Sequence, residues 1–106
     1  MSVYSISDIS VQDPEKYGEY VNQVRAIVES YGGRYHVRGG DITIRAGDWT
    51  PNRLVIIEFP SMDRLKEFGS SPEYQPVAEI RKSASEMISS VIVEGYDGEN
   101  NNVRAT

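Results

Sequence analysis

The chain is 106 residues long, with 39% hydrophobic and 25% charged side chains, the make-up of one globular domain. A net charge of -5 and a pI of about 4.8 argue against a nucleic acid or an anionic membrane surface as partner, which would want a basic patch, so neither is expected. There is no cysteine, hence no disulfide frame or thiolate metal site; no leader-like segment opens the chain, no apolar run nears the roughly 18 residues of a membrane span, and a cytoplasmic protein is the expectation.

Residues 3–11 alternate as a first strand, with Val3, Ser5, Ser7, Ile9 and Val11 on one side and Tyr4 and Ile6 on the other. Asp13-Pro14 then starts a helix: Asp13 can cap the free N–H groups, and Pro14 suits the first helical position. Tyr17, Tyr20, Val21, Val24, Ile27, Val28 and Tyr31 recur at helical spacing and form one apolar stripe. Gly32-Gly33 ends it. Residues 34–38 read as a second strand, with Tyr35 and Val37 on one face and His36 and Arg38 on the other. Gly39-Gly40 breaks this strand; residues 41–46 can resume it, since Ile42 and Ile44 alternate with Thr43 and Arg45, and a turn holding Trp49 follows.

The third strand, residues 53–59, is the most apolar. Leu54 and Ile56 face one way and Val55, Ile57 and Phe59 the other, the pattern of a strand covered on both sides. A second helical region starts near Ser61, breaks at Gly69-Ser70 and restarts at Ser71-Pro72, with Val77, Ile80, Ala84, Met87 and Ile88 as its stripe. A last strand is expected over 89–96. Residues 1–96 make a single domain, and 97–106 read as a disordered tail.

The order β-α-β-β-α-β is that of the ferredoxin-like α+β sandwich: a four-stranded antiparallel sheet with two helices on one face and strands one and three in the middle. The other face keeps apolar side chains that the helices leave bare. A homodimer through the open sheet face, two sheets packed about a two-fold axis, would cover them. The competing arrangement is a monomer whose 41–46 segment folds over that face.

The chain resembles the family known as domain of unknown function 1330, within the dimeric α+β barrel superfamily. The likeness spans nearly all of residues 3–96. It rests on Asp13-Pro14-Glu15 with Tyr17 and Tyr20, on Gly32-Gly33-Arg34-Tyr35, on Arg38-Gly39-Gly40, and on Gly47-Asp48-Trp49. It continues through Arg53 to Glu58-Phe59-Pro60-Ser61, Ser71-Pro72-Glu73-Tyr74-Gln75, Arg81 and Glu94-Gly95. The resemblance implies a ferredoxin-like protomer and a sheet-to-sheet dimer, and it implies no activity. His36 stands where relatives look aliphatic, and Gly69 where they often look aromatic. The wider superfamily includes cofactor-independent monooxygenases and isomerases that hold small molecules between helices and sheet, a fold-level analogy only.

Among residues able to carry chemistry, Glu58 stands out as a carboxylate in an apolar strand, costly to bury without a partner. Arg38, Arg53 and Arg81 are its candidate partners. Glu58 is read either as a general base or as one half of a structural ion pair at the strand end. His36 is the sole histidine, titrates near neutrality, shares a predicted face with Arg38, and is the second catalytic candidate. Tyr74 and Arg81 are seven residues apart on one helix face. With Tyr20, Arg38 and Arg53 they are the candidate ligand-binding lining of a helix/sheet cleft, and its arginines favour a carboxylate or enolate. A lone histidine leaves no metal site, and with no GxGxxG or Walker loop no cofactor is expected. Two functions stay open: a small-molecule-binding protein or cofactor-independent enzyme of the monooxygenase/isomerase type, or a structural or interaction dimer with no active site.

Overall fold

A computed structural model describes residues 1–99 and Val103. Seven elements follow one another: β1 Val3–Val11, α1 Pro14–Ser30, β2 Arg34–Arg38, β3 Arg53–Phe59, α2 Met62–Ser70, α3 Tyr74–Ala84 and β4 Ser85–Glu94. The four strands form one antiparallel sheet in the order β2-β3-β1-β4, which is the ferredoxin-like α+β arrangement with β1 and β3 central. The tail expected from residue 97 lies largely outside the described residues. No helix among the described residues is long and apolar enough to cross a membrane.

Capping places α1. Asp13 accepts the Lys16 N–H at 3.1 Å and Pro14 occupies the first turn. The stripe then packs on the sheet: Tyr17, Val24 and Val28 are buried, and Tyr20, Val21, Ile27 and Tyr31 are partly covered. Val24 and Val28 meet Val3, Phe59, Phe68 and Val77 in the main core. Gly33 is the closest approach of α1's end to this core; a Cβ there would lie 2.6 Å from Val28 Cγ1 and 2.9 Å from Phe59 Cε1.

The register sorts the two faces. Val3↔Phe59, Ser5↔Ile57, Ser7↔Val55 and Ile9↔Arg53 alternate with Tyr4↔Glu58, Ile6↔Ile56 and Asp8↔Leu54. The first set faces the helices; the second lies on the bare face, with Val91 and Val93 of β4. Beyond Ser85, every residue of β4 is exposed.

Three expectations are corrected. The second helical region is two helices: Gly69 and Ser70 still belong to α2, and the break falls at Ser71–Glu73. There the Ser71 hydroxyl donates to the Phe68 carbonyl at 2.8 Å and accepts the Tyr74 N–H. Met87 and Ile88 belong to β4, not to a helical stripe. The chain is extended from Ser85 on, and pairing with β1 begins at Val11↔Ser85. Residues 41–46 form no strand; Gly39 has φ +75°, and residues 39–52 run as an irregular arm.

Candidate functional site

A β-bulge decides where the polar residues go. β2 pairs Tyr35↔Ile57 but then Val37↔Ile56 and Arg38↔Val55, with a register shift between Tyr35 and Val37. The extra residue turns Arg38 onto the same face as Tyr35. His36 stays on the bare face with Val37 and Glu58. The expected pairing of His36 with Arg38 on one face is thereby overturned, because strict alternation fails at a bulge.

Glu58 finds its partners on that bare face. His36 Nε2 lies 2.8 Å from Glu58 Oε1, Arg34 Nη2 lies 3.7 Å from the same oxygen, and the Tyr4 ring is 5.4 Å from the imidazole. The hydrogen bond with His36 outweighs partial burial and holds the Glu58 carboxyl below its ordinary value. None of Arg38, Arg53 and Arg81, the partners expected from sequence, reaches it. Glu58 and His36 therefore lie across the sheet from the cleft.

The cleft itself lies between α1 and the sheet. It is narrow, with a cavity volume of about 20 Å³, and is walled by Tyr17, Tyr20, Val24, Tyr35, Arg38 and Arg53, among others. Arg38 stacks over the Tyr35 ring at 4.6 Å and donates to the Val21 carbonyl. Arg53 stacks over Tyr17 at 5.3 Å and lies against Gly39, where a Cβ would overlap the guanidinium. Tyr20 is hydrogen-bonded to Tyr74 and lies within the field of Arg81. Three of the five predicted ligand-binding residues, Tyr20, Arg38 and Arg53, line this space; Tyr74 and Arg81 do not, and meet it only through Tyr20.

The electrostatics are one-sided. None of the ion pairs among the described residues involves Arg38, Arg53 or Arg81. Nε of Arg53 and Nε of Arg81 are buried without a hydrogen-bond acceptor, each a deficit on the order of 1–3 kcal/mol. Burial, reinforced by Tyr74 and Tyr35 and opposed by Arg81, pushes the Tyr20 phenol far up. Burial likewise pushes Tyr35 up to about 12, against the pull of Arg38. Both phenols stay protonated at neutral pH and can donate hydrogen bonds to an anion.

Sequence reasoning missed Asp8. It is 3% exposed, on the bare face, next to the arm. Its Oδ1 accepts the Asn52 N–H at 2.8 Å and its Oδ2 the Trp49 indole N–H at 3.4 Å. Burial pushes this carboxyl up, but the Asn52 N–H, with Trp49 and the Arg53 N–H, wins and holds it below the ordinary value. Asp8 thus pins the arm one residue before Arg53 enters the cleft. A single acid inside an alternating strand was the available signal. Among the described residues no group of three or more His, Cys, Asp or Glu side chains is placed to hold a metal ion.

Solved structures of similar architecture are remote in sequence. A protein of unknown function from Rhodopseudomonas palustris, RPA0582, is 18% identical, covering 87% of this chain and 78% of its own, with a TM-score of 0.65. SnoaB from Streptomyces nogalater, described as a cofactor-independent oxygenase, is 13% identical over 93% of this chain and 97% of its own, with a TM-score of 0.61. HapK from Hahella chejuensis is 12% identical over 100% of both chains, also at 0.61. Likeness at this level shows the shared fold. None of the curated proteins matches the chain. The model of one family, described as domain of unknown function (DUF1330), matches residues 2–96, and the chain belongs to that family.

Proposed function

We propose that this protein binds a small anionic organic molecule in the cleft between α1 and the sheet, with Arg38 and Arg53 facing its charge and Tyr20, backed by Tyr74 and Arg81, supplying a phenol hydroxyl. One observation carries the reading: a chain of net charge -5 sets two arginines, Arg38 and Arg53, neither in an ion pair among the described residues, in the wall of one tyrosine-lined space, with Arg81 acting on Tyr20 beside it. Guanidinium groups fixed by stacking would also stabilise an enolate or phenolate, which supports cofactor-independent chemistry of the monooxygenase or isomerase type on the bound anion. The fold shared with a cofactor-independent oxygenase agrees with this by analogy. Glu58 and His36 take no part in the cleft; their role in this reading is an ion pair on the bare face.

The test is calorimetric titration with small carboxylates, phenolates and enolates, each against its neutral amide or methyl ether. Benzoate and its relatives bind while the neutral counterparts do not, and Arg53→Gln weakens binding about tenfold or more. A panel in which no anion outbinds its neutral partner defeats the proposal.

The proposal includes a homodimer. Ile6, Leu54, Ile56, Val91 and Val93 lie on the face without helices, Val91 58% and Val93 50% exposed, a row that a second copy would cover. The same row supports the second reading, an interaction dimer with no active site. Sedimentation as a stable monomer at micromolar concentration contradicts the dimer, and an anion-insensitive dimer selects the second reading.

A further inference from the structure

The cleft opens next to a second space. A surface groove of about 130 Å³ is lined by Arg25, Glu29, Arg34, Tyr35 and Arg38. Tyr35 and Arg38 also wall the inner cleft, so the two spaces share a boundary made of one aromatic ring and one guanidinium stacked on it. The groove adds Arg25 and Arg34 to the positive charge of the cleft. Each has an acidic neighbour: Arg25 Nε lies 3.2 Å from Glu29 Oε2, and Arg34 lies 3.7 Å from Glu58. These pairs are open to solvent, with the arginine side chains 66% and 74% exposed, and exposed pairs of this kind hold weakly. Both cations can turn to an arriving anion.

We infer that the ligand of this cleft carries two anionic groups, an inner one held by Arg53 with the tyrosine hydroxyls, and an outer one held by Arg25 and Arg34, joined by an unsaturated or aliphatic spacer that passes Tyr35 and Arg38. The inference rests on the cleft reading above and narrows it to dianions. The inner space has room for about one water-sized group, which suits one anionic end, while the outer space is larger, polar and wet, which suits the spacer and a second carboxylate or phosphate. A ligand with one charge would leave one end of the arginine row unused.

The experiment compares matched probes by calorimetry: succinate with succinamate, adipate with adipamate, and terephthalate with 4-carbamoylbenzoate. At least one dianion binds about tenfold or more tightly than its monoamide. Arg25→Gln with Arg34→Gln removes that preference and leaves monoanion binding unchanged, circular dichroism confirming the fold. Lys16→Gln with Lys82→Gln removes equal charge from positions lining neither space, and it keeps the preference. Monoanions binding as well as dianions overturns this inference and leaves the cleft reading standing. So does an equal loss of mono- and dianion affinity in the arginine variant, which is long-range steering only. Binding of neither class, in these probes and in the aromatic panel, removes both.

Discussion

Gly39→Ala separates backbone strain from loss of an anion contact. Gly39 has φ +75°, a conformation that costs an alanine about 1–2 kcal/mol. Its Cβ would overlap the Arg53 guanidinium, the free end of a flexible side chain, so Arg53 swings away at little further cost to stability. The Gly39 N–H donates to the Leu54 carbonyl at 2.9 Å and keeps the backbone in place. Gly47 is the internal control: its φ is +83° and nothing lies within 4 Å of a Cβ built there. Both variants should lose about 1–2 kcal/mol, which in a domain of this size moves the melting temperature by roughly 4–8 °C per kcal/mol. Only Gly39→Ala should lose anion affinity. A charge-assisted hydrogen bond contributes about 1.5–3 kcal/mol, so displacing Arg53 costs roughly ten- to a hundredfold in Kd for benzoate or the best probe of the panel. Thermal melts and calorimetry on the two variants and the parent chain decide it. Equal affinity in Gly39→Ala and Gly47→Ala refutes the placement of Arg53 as an anion ligand.

Five further outcomes follow from the same geometry. Val24→Asp puts an unpaired charge where the parent side chain is 1% exposed, and should abolish the cooperative melt; Phe59→Ala, at 1% exposure, should cost about 3–5 kcal/mol in a urea titration. Asp8→Ala removes the acceptor of the lone tryptophan's indole, so Trp49 emission should shift to the red and cleavage within residues 39–52 should quicken in limited proteolysis. The Glu58 carboxyl sits below its ordinary 4.5 when folded, chiefly through the His36 hydrogen bond, so unfolding takes up a proton in mild acid. Its stabilising contribution is complete above about pH 4.5 and is lost as pH falls through the folded-state value; melts of Glu58→Gln should therefore show a shallower decline with acid than the parent chain. Val91→Lys with Val93→Lys, each change occurring twice in a symmetric dimer, should raise the dimer Kd by at least about a hundredfold in sedimentation, at roughly 1.5–3 kcal/mol per valine.

Much of the fold was legible because it is written in local periodicity. The α1 stripe from Tyr17 to Tyr31, the Asp13-Pro14 start and the two-sided pattern of Leu54 to Phe59 each specify an element and the face it buries. Once the order of elements was read, the position of β1 and β3 at the centre followed from the handedness of crossovers. Of the cleft residues, Tyr20 on the α1 stripe and Arg53 in line with Val55 could be placed from local pattern; Arg38, which strict alternation puts with His36, could not.

Tertiary structure alone decided the rest. The bulge at His36 depends on how β2 pairs with β3, a contact between segments far apart in the chain. That one inserted residue sent Arg38 to the cleft while His36 stayed beside Glu58. The end of α3 was set by β4 pairing with β1 at Val11↔Ser85, which outweighed the helical spacing of Met87 and Ile88. Asp8 stood out in the sequence only as an acid in a strand; its partners, the Asn52 N–H and the Trp49 indole, are set by the path of the arm. Local pattern states which side of an element is apolar; which neighbour meets that side, and in what register, is a property of pairing across the whole chain.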